Sequence, residues 1–101
     1  MKILILGAGK MGAFFVDLLS FEHETAVYDT DPKRLRFMYN TQRFTSLDEV
    51  DGFGPELVIN AVTLKYTLDA FGKVIPHLPA GCILSDIASG KKGVEAVLHG
   101  Q

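Results

Sequence analysis

Short apolar runs alternate with amphipathic stretches along the whole chain. Ile3-Leu4-Ile5-Leu6 is continuously apolar and ends at glycine, the pattern of a central parallel strand buried on both faces. Met11, Phe14, Phe15, Leu18 and Leu19 recur at helical spacing with Asp17 opposite, which predicts an amphipathic helix packed on the sheet. Thr25-Ala26-Val27-Tyr28 is β-rich and predicts a second strand ending at Asp29, after which Asp31 caps a helix opened by Pro32. Ser46 followed by Glu49 has the capping-box pattern and predicts a short helix.

Gly52, Gly54 and Pro55 break the chain before Leu57-Val58-Ile59-Asn60-Ala61-Val62, whose β-branched residues predict a third strand. Leu64, Leu68, Phe71 and Ile75 follow at helical spacing, predicting a helix that ends near Pro76. After the Pro79-Ala80-Gly81 turn, Cys82 to Ile87 reads as a fourth strand. Ser89 or Gly90 then starts a last helix with Val94, Val97 and Leu98 on one face. Strand and helix signals in this alternation predict an α/β protein: a Rossmann-type, three-layer αβα sandwich around a mainly parallel sheet. The expected strand order is 3-2-1-4, the first half of a doubly wound dinucleotide domain whose second half is missing.

Composition narrows the field further. A chain of 101 residues has room for one domain, and 48% hydrophobic against 22% charged residues suits a folded core. A net charge of −2, with Lys and Arg scattered, argues against a nucleic-acid partner. The apolar start is too short for a bilayer span and resembles no signal peptide, so no membrane association and a cytoplasmic location are expected. The single cysteine, Cys82, can form neither an internal disulfide nor a multi-thiolate metal site, and it reads as a small buried hydrophobe. No metal site is expected.

Gly7-Ala8-Gly9-Lys10-Met11-Gly12 is a G-x-G-x-x-G directly after the first strand and at the opening of the first helix. Gly7 permits a tight turn, Gly9 leaves room for a pyrophosphate, and Gly12 lets the helix lie close to the strand. The unpaired N–H groups of the helix start, those of Lys10 and Met11 among them, would meet a negative diphosphate. Asp29 stands 22 positions after Gly7, where a carboxylate can accept from adenosine ribose hydroxyls and repel a 2′-phosphate. That predicts NAD in preference to NADP. A capping or turn role for Asp29 is the plainer alternative. Lys33 and Arg34 lie just beyond, where basic residues either pair with a 2′-phosphate or are simply solvated.

The segment His77-Leu78-Pro79-Ala80-Gly81-Cys82-Ile83-Leu84-Ser85-Asp86-Ile87-Ala88-Ser89-Gly90-Lys91, with the glycine motif, Asp29 and the Leu57 to Thr63 strand end, resembles the prephenate dehydrogenase family. That family has a strand running into D-x-x-S-x-K, here Asp86, Ser89 and Lys91. The resemblance implies oxidative decarboxylation of prephenate to 4-hydroxyphenylpyruvate on the route to tyrosine, with hydride passed to NAD or NADP. It implies that Ser89 lies beside the nicotinamide and the substrate's ring hydroxyl, and that Ala61, Val62 and Thr63 join the cofactor site. By itself Ser89 reads equally as a helix N-cap.

Two parts of the family pattern are not found. No His-Pro motif follows residue 91 to supply the catalytic histidine, and His23, His77 and His99 read as surface histidines. Gly90 and Thr63 stand where the family often has a bulkier apolar residue and a proline. Residues 1–101 are accordingly expected to be the dinucleotide-binding domain of a longer, homodimeric enzyme, binding cofactor and leaving prephenate turnover to a helical domain. Two other readings share the glycine loop: a nucleotide-sensing module of the potassium-channel type, and the cofactor domain of another small-molecule dehydrogenase or reductase.

Overall fold

β1 (Lys2–Leu6) runs through the middle of the sheet because all four residues from Ile3 to Leu6 are apolar and both of its faces are covered. In the computed structural model, which describes residues 1–62 and 67–86, β1 pairs in parallel with β2 (Glu24–Tyr28) on one side. On its other side lies the strand Leu57–Asn60. A short strand, β3 (Gln42–Phe44), adds to β2, so Leu57–Asn60 is β4, and β5 (Ile83–Asp86) adds to β4. Among the described residues the sheet is five-stranded and parallel, in the order β3-β2-β1-β4-β5.

The expected 3-2-1-4 order therefore holds, extended by a fifth strand, but with a different occupant of the third place. Gln42–Phe44 has three residues and buries only Phe44, too little for any hydrophobic period to show. Leu57–Asn60, expected as the third strand, is the fourth and lies beside β1. It stops at Asn60, short of Ala61 and Val62, because the Asn60 Oδ1 accepts the Val62 N–H at 3.3 Å and turns the chain.

Alternation along β1 divides the core into two layers. Ile3 and Ile5 pack with Val16 of α1 (Lys10–Leu19) and Leu35 of α2 (Pro32–Leu35). Leu4 and Leu6 pack with Val50 and Phe53 of α3 (Leu47–Phe53) and with Phe71 and Val74 of α4 (Thr67–Val74). Helices thus cover both faces of the sheet, the three-layer arrangement of a Rossmann fold.

The apolar face expected for α1 is corrected by the structure. Gly12 and Val16 are buried, with Phe15 and Leu19 partly so, whereas Met11, Phe14 and Leu18 are exposed. Apolar residues nearly encircle this helix, so periodicity alone cannot set its rotation. The close approach at Gly12 sets it: a Cβ there would run into the Gly7 carbonyl oxygen.

The helix starts follow the residues expected of them. Asp31 accepts the Lys33 N–H at 2.9 Å ahead of Pro32. Ser46 accepts the Asp48 N–H while Glu49 accepts the Ser46 N–H, completing the capping box. A 3-10 turn, Ile75–His77, ends α4 at Pro76. Cys82 is half-buried against the core rather than fully enclosed. Leu64, Thr63, Ser89, Lys91, His99 and the last expected helix lie outside the described residues.

Candidate dinucleotide site

Three strand ends meet at the carboxyl edge of the sheet. β1 runs into Gly7, β2 into Asp29 and β4 into Ala61, and backbone bonds hold them level: Gly7 N–H to Tyr28 O at 2.9 Å, and Ala61 N–H to Leu6 O at 2.8 Å. β1 is followed in the sheet by β2 on one side and β4 on the other, so a crevice opens at the point where the winding reverses.

Gly7 has φ +98°, a conformation that side chains rarely adopt, and a Cβ on it would stand 2.9 Å from Val62 Cγ1 and 3.2 Å from the Ala61 carbonyl. The loop after β4 therefore packs directly on the first glycine, which brings Ala61 and Val62 beside the glycine loop. Gly9 is the N-cap of α1 in an extended conformation, with no side chain capping it and no acidic residue in the first turn. α2 and α3, by contrast, are capped by their own side chains. The leading N–H groups of α1, at Lys10, Met11 and Gly12, have no acceptor within the helix and carry the positive end of its dipole. Lys10 and Met11 are exposed at this mouth.

Asp29 is 9% exposed, and its two oxygens are already engaged. Oδ2 accepts the Ala8 N–H at 2.9 Å and Oδ1 accepts the Asp31 N–H at 2.9 Å. The turn role is therefore filled: this carboxylate locks the glycine loop to the end of β2 and shapes the turn into α2. Ala8 was not singled out from the sequence, since nothing in a residue's type reveals that its backbone N–H is the donor.

Arg34 is not simply solvated. Its Nε lies 3.6 Å from Asp29 Oδ2, and its Nη2 lies 2.9 Å from the place a Gly9 Cβ would occupy. Its side chain is 54% exposed.

A second group of potential ligands among the described residues is Asp48, Asp51 and His77, whose ligand atoms lie within 4.8 Å of one another. His77 Nδ1 is 2.9 Å from Asp51 Oδ2, joining α3 to the turn before β5. That turn leads into the amino end of a parallel strand, the edge of the sheet opposite the glycine loop. No helix among the described residues is long and apolar enough to cross a membrane.

No family model and no curated protein matches the sequence. Solved structures do match in fold. Prephenate dehydrogenase from A. aeolicus, in complex with hydroxyphenyl propionate and NAD+, superposes with a TM-score of 0.81 at 23% identity over 97% of this chain. Arogenate dehydrogenase from Synechocystis gives a TM-score of 0.77 at 20% identity over 96% of this chain. A 3-hydroxyacyl-CoA dehydrogenase from Archaeoglobus fulgidus gives 0.73 at 23% identity over 88%. This chain spans 38%, 37% and 34% of those three proteins respectively, and what they share with it is the fold.

Proposed function

We propose that residues 1–101 form the dinucleotide-binding domain of an NAD-dependent oxidoreductase of the prephenate and arogenate dehydrogenase kind. The observation that carries this reading is the loop from Gly7 to Gly12: bent at a positive φ, stripped of Cβ atoms where the helix meets the strand, and opening an uncapped helix. Among the described residues the space above Gly9 is met only by the tip of a long, half-exposed arginine, so a diphosphate can approach the backbone there. The residues fit the cofactor.

In this reading the N–H groups of Gly9, Lys10, Met11 and Gly12 solvate the two phosphates, and Asp29 receives the ribose hydroxyls on lone pairs its backbone donors leave free. Ala61 and Val62 wall the crevice on the β4 side, and Thr63, next in the sequence, is proposed to join the cofactor site. A bound nicotinamide supplies the hydride acceptor. Ser89, three positions after Asp86 in the sequence, would lie beside the nicotinamide and the substrate's ring hydroxyl and help to orient the catalytic histidine. The general base and the rest of the substrate pocket come from a helical domain, as does the dimer interface, so the chain alone binds cofactor without turning over substrate. A cytoplasmic site suits this chemistry.

A second reading, the cofactor domain of another small-molecule dehydrogenase, is favoured by the 3-hydroxyacyl-CoA dehydrogenase superposing on the same elements. Calorimetric titration of the chain with NAD+ tests what both share. Saturable binding is expected. Its absence at millimolar ligand, or stronger thermal stabilisation by ATP than by NAD+, would overturn the dehydrogenase assignment.

A further inference from the structure

The mouth of the glycine loop already holds a cation. α2 begins at a fixed place, with Asp31 accepting the Lys33 N–H, Pro32 at the first position and the Arg34 N–H on the Asp31 carbonyl at 3.1 Å. That start turns Arg34 back toward the end of β2. The guanidinium there spans the gap between Asp29 and Gly9, with Nε 3.6 Å from Asp29 Oδ2 and Nη2 over the spot a Gly9 Cβ would fill.

Three facts bear on ribose recognition. Each Asp29 oxygen already accepts a backbone N–H, and a guanidinium stands beside Oδ2, so little unbalanced negative charge faces the crevice. The 3.6 Å separation is too long for a hydrogen bond, and Arg34 is half in solvent, so this pair holds it weakly. Arginine offers a planar fork of donors that matches phosphate oxygens two at a time.

We propose that Arg34 is the specificity-determining residue of this cradle and lets it accept NADP as well as NAD, the guanidinium leaving Asp29 to grip the 2′-phosphate. The inference rests on the dinucleotide reading above and goes beyond its preference for NAD. A lone carboxylate at the end of β2 would reject a 2′-phosphate by charge repulsion; Arg34 cancels that charge and supplies the phosphate's partner. Lys33, exposed on the same turn, adds a second positive charge nearby. NAD binds to the same site with Arg34 remaining at Asp29 or moving into solvent, at little cost either way.

Titrating the 101-residue chain calorimetrically with NAD+ and with NADP+ at one ionic strength tests this directly. The expected Kd values lie within about tenfold of each other, and Arg34→Gln should weaken NADP+ by roughly tenfold or more while changing NAD+ less than about threefold. Arg34→Lys, which keeps the charge and loses the fork, should fall between. NAD+ binding with NADP+ weaker by more than tenfold overturns the proposal and leaves the dinucleotide site standing. Equal losses of both ligands in Arg34→Gln also overturn it, since Arg34 would then act on the shared diphosphate. Failure of both dinucleotides to bind removes the site and the proposal together.

Discussion

The Asp29 carboxylate accepts the backbone N–H of Ala8 at 2.9 Å, tying the end of β2 to the glycine loop that follows β1. Twenty-one positions separate the two residues, and the bond is buried. The side chain proposed to meet the ribose thus also holds the glycine loop proposed to meet the phosphates.

Substitution at Asp29 should separate these two duties. Asp29→Ala leaves the buried Ala8 N–H without an acceptor, a loss of about 1–3 kcal/mol, while the Asp31 N–H, on an exposed residue, can turn to water. Asp29→Asn can keep its carbonyl oxygen on Ala8 and should cost less. Urea unfolding is expected to rank wild type, Asn and Ala in that order. Dinucleotide affinity should fall in both variants, because the amide is a poorer acceptor for ribose hydroxyls than the carboxylate. An Ala variant as stable as wild type would show that the Ala8 bond contributes nothing.

Two glycine-to-alanine changes should move stability in opposite directions. At Gly12 the new methyl meets the Gly7 carbonyl, backbone that cannot give way without unseating α1 from β1, so a loss on the order of 3 kcal/mol or more is expected. At Gly52, an exposed position inside α3, a Cβ meets nothing within 4 Å. There alanine should stabilise by about 0.5–1 kcal/mol through helix propensity and reduced freedom of the unfolded chain. Thermal denaturation of the pair reads both signs.

The site was legible in the sequence where chemistry depends on residue type at fixed spacing, and illegible where it depends on which atoms face one another. Gly7 announces a bend that side chains rarely allow and Gly12 a close approach of helix to strand, and Asp29 falls at the strand end that the β2 pattern marks. β3 escaped notice because a three-residue edge strand with one buried side chain has no period to detect. Which side of α1 is buried escaped for the opposite reason: Met11, Phe14 and Leu18 are as apolar as Phe15, Val16 and Leu19, and the decision belongs to a backbone contact at Gly12. Arg34 could be noted as a basic residue near the site, but its lean over Gly9 depends on where α2 begins, and this emerges only in three dimensions.

Burial raises the Cys82 thiol above its ordinary pKa, because the thiolate would give up hydration against the core. Two consequences share one sign. At neutral pH the thiolate fraction is smaller than for a free cysteine, so alkylation by iodoacetamide should be slower than for the unfolded chain. A pKa higher in the folded state means stability is fully present below the unfolded thiol pKa and declines as pH rises through the folded value, so this group contributes a loss only in the alkaline range. Cys82→Ser should abolish alkylation and flatten that alkaline decline. Equal alkylation rates for folded and urea-unfolded chain would contradict the shift.

Phenylalanine content is high for so short a chain, and the structure divides those rings sharply by role. Phe71 is fully enclosed, packed in the layer that holds Leu4, Val58 and Val74, whereas Phe21 is 93% exposed just past α1. Phe71→Ala empties a space that the surrounding strands cannot fill and should cost about 3–5 kcal/mol. For a chain of 101 residues that is a large part of the usual stability, about 5–15 kcal/mol, and a marginal or unfolded variant is the expected outcome. Phe21→Ala removes a ring that is already in water and should change stability by less than about 0.5 kcal/mol. Denaturant midpoints of the two variants, measured side by side, test the assignment of α4 to the sheet: similar midpoints would mean that α4 does not pack where the structure puts it.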